Sequence, residues 1–315
     1  MVLRGAGATL PHRLYAHWIE RYERMVPAVH VDYQAVGSAS GLRQLYAKMA
    51  DFGASDAPAH DAPFDLLHVP TAVGAVALAY RLPGLDAPLV LRPTAIAAIF
   101  GGDARRWTDR RIQEDNPHLQ LPDLPVTPIF RSDGSGATQI FTEWLGEHAG
   151  SKRRGMVAHF AAGIGARGSN GVTAAVTRIP GALGYVEVAH ARASHLVVAE
   201  IASRAGDAPV ALDDESVDLA ARSLRHDLPL TTRLGTNLPG SYPLTSFTYL
   251  LVPRETADDG RASALARFLF WVLGPGQEDC APLGYRPLPV AVAARARRDL
   301  VSELRAGSRA ALRAD

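Results

Sequence analysis

A chain of 315 residues is long enough for a large core and for two domains. Its 33 basic and 32 acidic residues leave a net charge of +1, which excludes a whole-chain field for nucleic acid or a membrane surface. The lone cysteine, Cys280, excludes an intrachain disulfide, and no apolar run reaches transmembrane length.

The opening MVLRGAGATL lacks the apolar core of a signal peptide. The expectation is a cytosolic protein or one whose leader is missing from this sequence. Pro11 to Met25 predicts a helix with Leu14, Tyr15, Trp18, Ile19 and Tyr22 on one broad face. Val29, Val31 and Tyr33 alternate as in a strand. GSASG, Gly37 to Gly41, reads as a loop before a helix carrying Leu42, Leu45 and Met49. Asp51 to Ser55 is a short strand that ends in Asp56.

Val69 to Tyr80 is apolar throughout, as in a buried strand. Arg92 to Phe100 predicts a short helix, with Pro93 near its start and Gly101–Gly102 past its end. Val126 to Phe130 is a strand, and RSDGSGATQIFTEWL after it opens an amphipathic helix. There follow a helix near Gly171 to Arg178, a strand near Leu183 to Val188 and a helix near Asp213 to Arg225. Thr245 to Val252 is a strand and Ala262 to Leu273 a helix. This alternation predicts an α/β fold with mostly parallel sheets.

Three segments share one local grammar, with Gly and Ser/Thr at a turn and then a helix. They are GAGATL (Gly5 to Leu10), GSASG and DGSGAT (Asp133 to Thr138). Glycine admits a ligand close to the backbone, and a helix start offers unpaired N–H groups at the positive dipole end. Each segment taken singly also reads as an ordinary cap or turn. GAGATL lacks the third Rossmann glycine and has no strand predicted before it. The serines of GSASG are one place off a nucleophile elbow, and DGSGAT lacks the lysine of a P-loop.

Arg131 and Asp133 flank the third segment, and Asp56 ends DFGASDAP. The planar fork of Arg131 suits a tetrahedral oxyanion, although an ion pair with Asp133 is its bland alternative. Asp56 is either a turn residue or a selector. A carboxylate facing an anion repels it unless the anion carries a proton to donate, as hydrogenphosphate does and sulfate does not.

Seven segments in order, GAGATLP, VDYQAVGSASGLRQL, DFGASDAP, LPDLPVTPIFRSDGSGAT, GSNGVTAAVTRIPGALGYVE, YPLTSFTYLLVP and LGYRPLP, resemble the PstS family of periplasmic phosphate-binding proteins, almost end to end. The resemblance implies the two-domain Venus-flytrap fold of periplasmic binding proteins with two hinge crossings. Domain I would comprise residues 1–79 and 244–315, and an inserted domain II residues 80–243. It implies a protein that binds inorganic phosphate and delivers it to an ABC-transporter permease, from the periplasm or the cell surface. It would be a monomer, without cofactor, metal, catalysis or nucleic acid.

Carried over by motif position, Ala8, Thr9 and Leu10 would bind phosphate through backbone N–H groups and the threonine hydroxyl, and Ser38 would add a second hydroxyl. Asp56 would accept the phosphate proton. Arg131 would be the charged donor, held by Asp133, while Ser135, Gly136 and Ala137 would supply donors at a helix start. Groups from both domains would meet on the ligand.

The family usually has an aromatic where Leu10 stands and a hydroxyl residue where Ala137 stands. Thr138 is the candidate to replace that lost hydroxyl. The competing readings are a binder of another oxyanion, a weak phosphate binder, a phosphate-ester hydrolase, and a signalling or adhesion protein on the same fold. His12 and His17, five apart, are poorly placed to share a helical face.

Overall fold

The computed structural model describes residues 1–85, 87–203, 207–223, 229–231, 234, 238–255 and 258–303. The chain divides into two compact units. Unit 1 takes Met1–Gly74, Leu224–Arg233 and Ser246–Asp315, and unit 2 takes Ala75–Ser223 and Leu234–Thr245. The sequence-based boundaries put residues 224–233 in the inserted domain. Within unit 1 the Tyr249 hydroxyl donates to the Leu230 carbonyl at 3.0 Å.

In chain order the elements begin with β1 (Val2–Gly7), α1 (His12–Met25), β2 (His30–Gln34), α2 (Ser38–Tyr46), β3 (Phe52–Ser55) and β4 (Leu66–Tyr80). They continue with β5 (Val90–Leu91), α3 (Pro93–Gly101), α4 (Arg110–Asp115), β6 (Thr127–Arg131), α5 (Gly136–Ala149), β7 (Ile164–Ala166) and α6 (Gly168–Arg178). Next come β8 (Ala182–Glu187), α7 (Val188–Ala193), β9 (Val197–Val198), β10 (Glu200–Ile201) and α8 (Asp214–Arg222). The last are β11 (Thr245–Pro253), α9 (Asp259–Val272) and α10 (Val290–Glu303).

In unit 1, β1 lies between β2 and β3, parallel to both, with Leu3 opposite Val31 and Gly7 opposite Ala54. β11 adds to β3 in antiparallel sense. β1 corrects the reading of GAGATL as a segment without a strand, because Gly5, Ala6 and Gly7 are themselves its end. α2 corrects the reading of GSASG as a loop, because Ser38 to Gly41 form its first turn. Gly41 explains this. A Cβ there would sit 2.3 Å from the Ala6 carbonyl oxygen, so the helix can lie this close to β1 only as glycine. Met49 falls beyond α2 and is exposed.

α1 buries Leu14, Tyr15, Trp18 and Tyr22, the spacing of one helical face. Each such burial is worth about 1.5–3 kcal/mol. Tyr22 meets Phe268 of α9 at 5.1 Å between ring centroids, and Trp18 donates to the Gly276 carbonyl at 2.7 Å. Cys280 is buried, and burial pushes its thiol up to about 12, so it stays protonated.

In unit 2, β8 runs antiparallel to β4 and parallel to β6, and β6 is parallel to β7. Ala77, Ile129, Val172, Val176 and Val186 are the centre of the core between this sheet and α6. α3 starts with Pro93 and stops at Gly102 in the left-handed region, as the sequence predicts. α8 ends at Arg222, and Leu224 and Arg225 of the predicted helix lie outside the described residues. The antiparallel strands β4 and β11 are the ones that run across a border between units.

Candidate functional site

The candidate residues fall into two groups, one in each unit. In unit 1 the parallel order of β1 and β3 brings their carboxyl ends side by side. Gly7 approaches β3 so closely that a Cβ would be 2.1 Å from the Ala54 carbonyl oxygen. That carbonyl accepts the Ala8 N–H at 2.9 Å. The Ala8 amide, expected from the sequence as an anion donor, is thereby hydrogen-bonded to β3. The Ala8 carbonyl is occupied too, by the Tyr33 hydroxyl at 2.6 Å.

Thr9 and Leu10 follow in the turn before α1. The Leu10 carbonyl accepts the Tyr285 hydroxyl at 2.7 Å, which fixes the turn from the opposite side. Ser38 is buried at the start of α2, and the Gly37 amide at its N-cap donates to the Gly7 carbonyl at 2.8 Å. The first and second segments are thus joined through Gly7.

Asp56, one residue past β3, is 2% exposed. Thr248 on β11 donates its hydroxyl to Asp56 Oδ1 at 3.0 Å, and the Ser246 hydroxyl donates to the Asp56 carbonyl at 3.0 Å. Behind Thr248, the Thr71 hydroxyl donates to its carbonyl at 3.1 Å and pairs with the Tyr15 hydroxyl at 2.7 Å. Burial holds the Tyr15 hydroxyl well above its ordinary pKa, so this chain carries no charge of its own. A buried carboxylate with a neutral donor is an acceptor suited to a proton-bearing ligand.

In unit 2, β6 ends at Arg131 and α5 begins at Gly136. Arg131 is buried, with its side chain 2% exposed. Its Nε is 2.8 Å from Asp133 Oδ1 and its Nη2 is 2.5 Å from Asp133 Oδ2. Nη1 lies 3.5 Å from both Ser169 Oγ and Glu187 Oε1. Asp133 also accepts the Gly168 N–H at 2.9 Å, which ties the loop to the start of α6. Burial pushes the Asp133 carboxyl up. The hydrogen bonds and charge of Arg131, helped by the Gly168 amide, outweigh it and hold the group below its ordinary value.

Ser135 caps α5, its oxygen accepting the Thr138 N–H at 3.4 Å. That bond uses the oxygen and leaves the hydroxyl proton to donate elsewhere. Gly136 and Ala137 form the first turn, at the positive end of the helix dipole. Thr138, the candidate to replace a hydroxyl at Ala137, follows it in the first turn of α5. It is fully buried and its Oγ1 is 2.8 Å from the Tyr185 hydroxyl. The Tyr185 oxygen also accepts the Arg131 N–H at 3.1 Å, and burial pushes this phenol up to about 12.

The structure adds residues that sequence reasoning left unassigned. Thr248 stands in YPLTSFTYLLVP, Ser169 in GSNGVTAAV and Glu187 in GALGYVE, all of them segments quoted above for another purpose. A buried acid closing an apolar strand was the available signal for Glu187, and a hydroxyl inside one was the signal for Thr248. Among the described residues, no three His, Cys, Asp or Glu side chains gather where they could hold a metal ion. No helix of the described residues is long and apolar enough to cross a membrane.

The chain matches the family model described as a PBP superfamily domain over residues 2–275. It is 32% identical over 297 residues to the phosphate-binding protein PstS of Pasteurella multocida, covering 91% of this chain and 86% of that protein. It is 32% identical over 308 residues to phosphate-binding protein PstS 2 of Mycobacterium tuberculosis, covering 91% and 83%.

Among solved structures, it is similar to a high-affinity periplasmic phosphate-binding protein, PfluDING, bound with phosphate. The TM-score is 0.76 at 19% identity, over 95% of this chain and 94% of that one. A putative phosphate ABC transporter substrate-binding protein from Clostridium perfringens, with bound phosphate, gives a TM-score of 0.68 at 16% identity, over 92% and 100%. At these identities the likeness establishes the two-domain α/β fold of periplasmic binding proteins.

Proposed function

This chain belongs to the PstS phosphate-binding proteins of the PBP superfamily, and on that premise we propose that it binds inorganic phosphate and delivers it to an ABC-transporter permease. It acts as a binding protein, at the periplasmic or cell-surface side, as a monomer and without a cofactor. The observation that carries this reading is Arg131. A buried guanidinium is held in one orientation by a two-bond carboxylate, and Ser169 Oγ and Glu187 Oε1 stand 3.5 Å from its Nη1. Such a group is oriented for a tetrahedral oxyanion.

Unit 1 supplies the Thr9 hydroxyl and amide, the Leu10 amide, the Ser38 hydroxyl and the acceptor Asp56. Unit 2 supplies Arg131, oriented by Asp133, with the Ser135 hydroxyl and the amides of Gly136 and Ala137. Ala8 serves as scaffold, since its amide is engaged by Ala54. Asp56 selects hydrogenphosphate, because sulfate has no proton to give it. Isothermal titration with phosphate, arsenate and sulfate tests this. Phosphate and arsenate binding at one per chain is expected, and sulfate bound as tightly as phosphate refutes the role of Asp56.

One observation favours a weaker variant of the same function. Ala137 lacks a hydroxyl, and the hydroxyl of Thr138 is engaged by Tyr185. One side-chain bond to the anion is then missing, a deficit of about 1–3 kcal/mol.

A further inference from the structure

The surroundings of Arg131 carry one more carboxylate than the proposed site uses. Asp133 occupies Nε and Nη2, and Glu187 Oε1 stands 3.5 Å from Nη1. Glu187 is the last residue of β8 and 1% exposed. Two carboxylates around one guanidinium leave the cluster with a net negative charge, which opposes an arriving anion. Glu187 also contends with that anion for Nη1. Its second oxygen, Oε2, is buried without a hydrogen-bond partner among the described residues and lies 3.7 Å from Nδ1 of His190 on α7.

Resting on the phosphate reading above, we propose that Glu187 is the resident counter-ion of Arg131, that the arriving phosphate displaces it from Nη1, and that His190 then takes a proton from solvent and holds the displaced carboxylate. Among the described residues, the charged groups on the neighbouring elements have partners of their own. Asp133 holds Arg131 from the loop after β6, and Arg192 of α7 pairs with Asp214 of α8 at 2.8 Å. α6 faces the cluster with Ser169, which carries no charge. A protonated His190 cancels the excess negative charge, so binding and proton uptake favour one another. Glu187 is here a positioning residue that sets how strongly Arg131 holds the anion.

The test is titration calorimetry of the full chain with inorganic phosphate between pH 6 and 8, in buffers of different ionisation enthalpy. It reads the protons taken up per phosphate bound. Comparison with H190Q removes the protons belonging to phosphate itself, which are common to both proteins. The wild type is expected to take up an extra fraction of a proton that H190Q does not, and to lose affinity more steeply as pH rises. E187Q is expected to bind phosphate several-fold tighter than wild type at pH 8, with the extra uptake gone.

Equal proton counts in wild type and H190Q overturn the proposal, as does an E187Q protein that melts normally yet binds more weakly with unchanged uptake. If E187Q does not fold, the H190Q comparison alone decides. A wild type that binds no phosphate at any pH refutes the phosphate reading itself, a result distinct from binding without the extra proton.

Discussion

Asp133 closes two hydrogen bonds on Arg131, Nε to Oδ1 at 2.8 Å and Nη2 to Oδ2 at 2.5 Å. The acid in the middle of this loop is therefore the partner that orients Arg131. Asp133→Asn removes this two-bond ion pair and leaves the buried guanidinium with Glu187, 3.5 Å from Nη1, as its charged partner. The cost is about 3 kcal/mol, at the lower end for a buried pair because Asp133 is 16% exposed.

The same pair predicts a pH dependence. The folded pKa of Asp133 is depressed below 3.8. Its contribution to stability is present above that unfolded value and is lost as pH falls through the folded one. Denaturant unfolding of wild type and Asp133→Asn from pH 7 to pH 2.5 should show the largest gap at neutral pH, narrowing below about pH 4. A gap that stays constant with pH contradicts the assignment.

Ala137→Ser restores a hydroxyl at the start of α5, at a position that is now 1% exposed. It should tighten phosphate binding by about tenfold, or about 1.4 kcal/mol. Titration calorimetry reads this directly. No change would mean that the hydroxyl cannot reach the anion.

Tyr185→Phe removes an oxygen that accepts the Arg131 amide at 3.1 Å and pairs with Thr138 at 2.8 Å. A buried N–H and a buried hydroxyl lose their partner, at a cost of about 1–3 kcal/mol in stability. The melting temperature should fall by several degrees. An unchanged melting temperature would show that the two groups find other partners.

Thr248→Val removes the hydroxyl donor of Asp56 while keeping the shape of the side chain. Phosphate affinity should fall by about tenfold, since the carboxylate loses the bond that orients it. Equal affinity in the variant would remove Thr248 from the site.

Most of the fold is legible because its signals are periodic and local. The face of α1, the apolar run of β4, and Pro93 with Gly102 around α3 each follow from residues a few places apart. What is illegible depends on neighbours distant in the chain. β1 is diluted by Arg4 and two glycines, and it is a strand because β2 and β3 pair on both sides of it. Ser38 to Gly41 resemble a loop because glycine lowers helix propensity, while the 2.3 Å approach to Ala6 demands it.

The candidate site divides in the same way. Arg131 with Asp133 is readable from two residues in sequence. The loss of the Ala8 amide to Ala54, the commitment of Thr138 to Tyr185, and the place of Glu187 beside Arg131 are all set by tertiary contacts.

In the proposed function Asp56, buried and bonded to Thr248 at 3.0 Å, accepts a proton from the ligand. The most direct test is calorimetric titration of wild type and Asp56→Asn with phosphate and sulfate at constant ionic strength. The wild type should bind phosphate at least a hundredfold more tightly than sulfate, about 2.7 kcal/mol. Asp56→Asn should lose most of that ratio, chiefly by weakened phosphate binding. A wild type that does not distinguish the two anions, or an Asp56→Asn protein that keeps the full ratio, contradicts it.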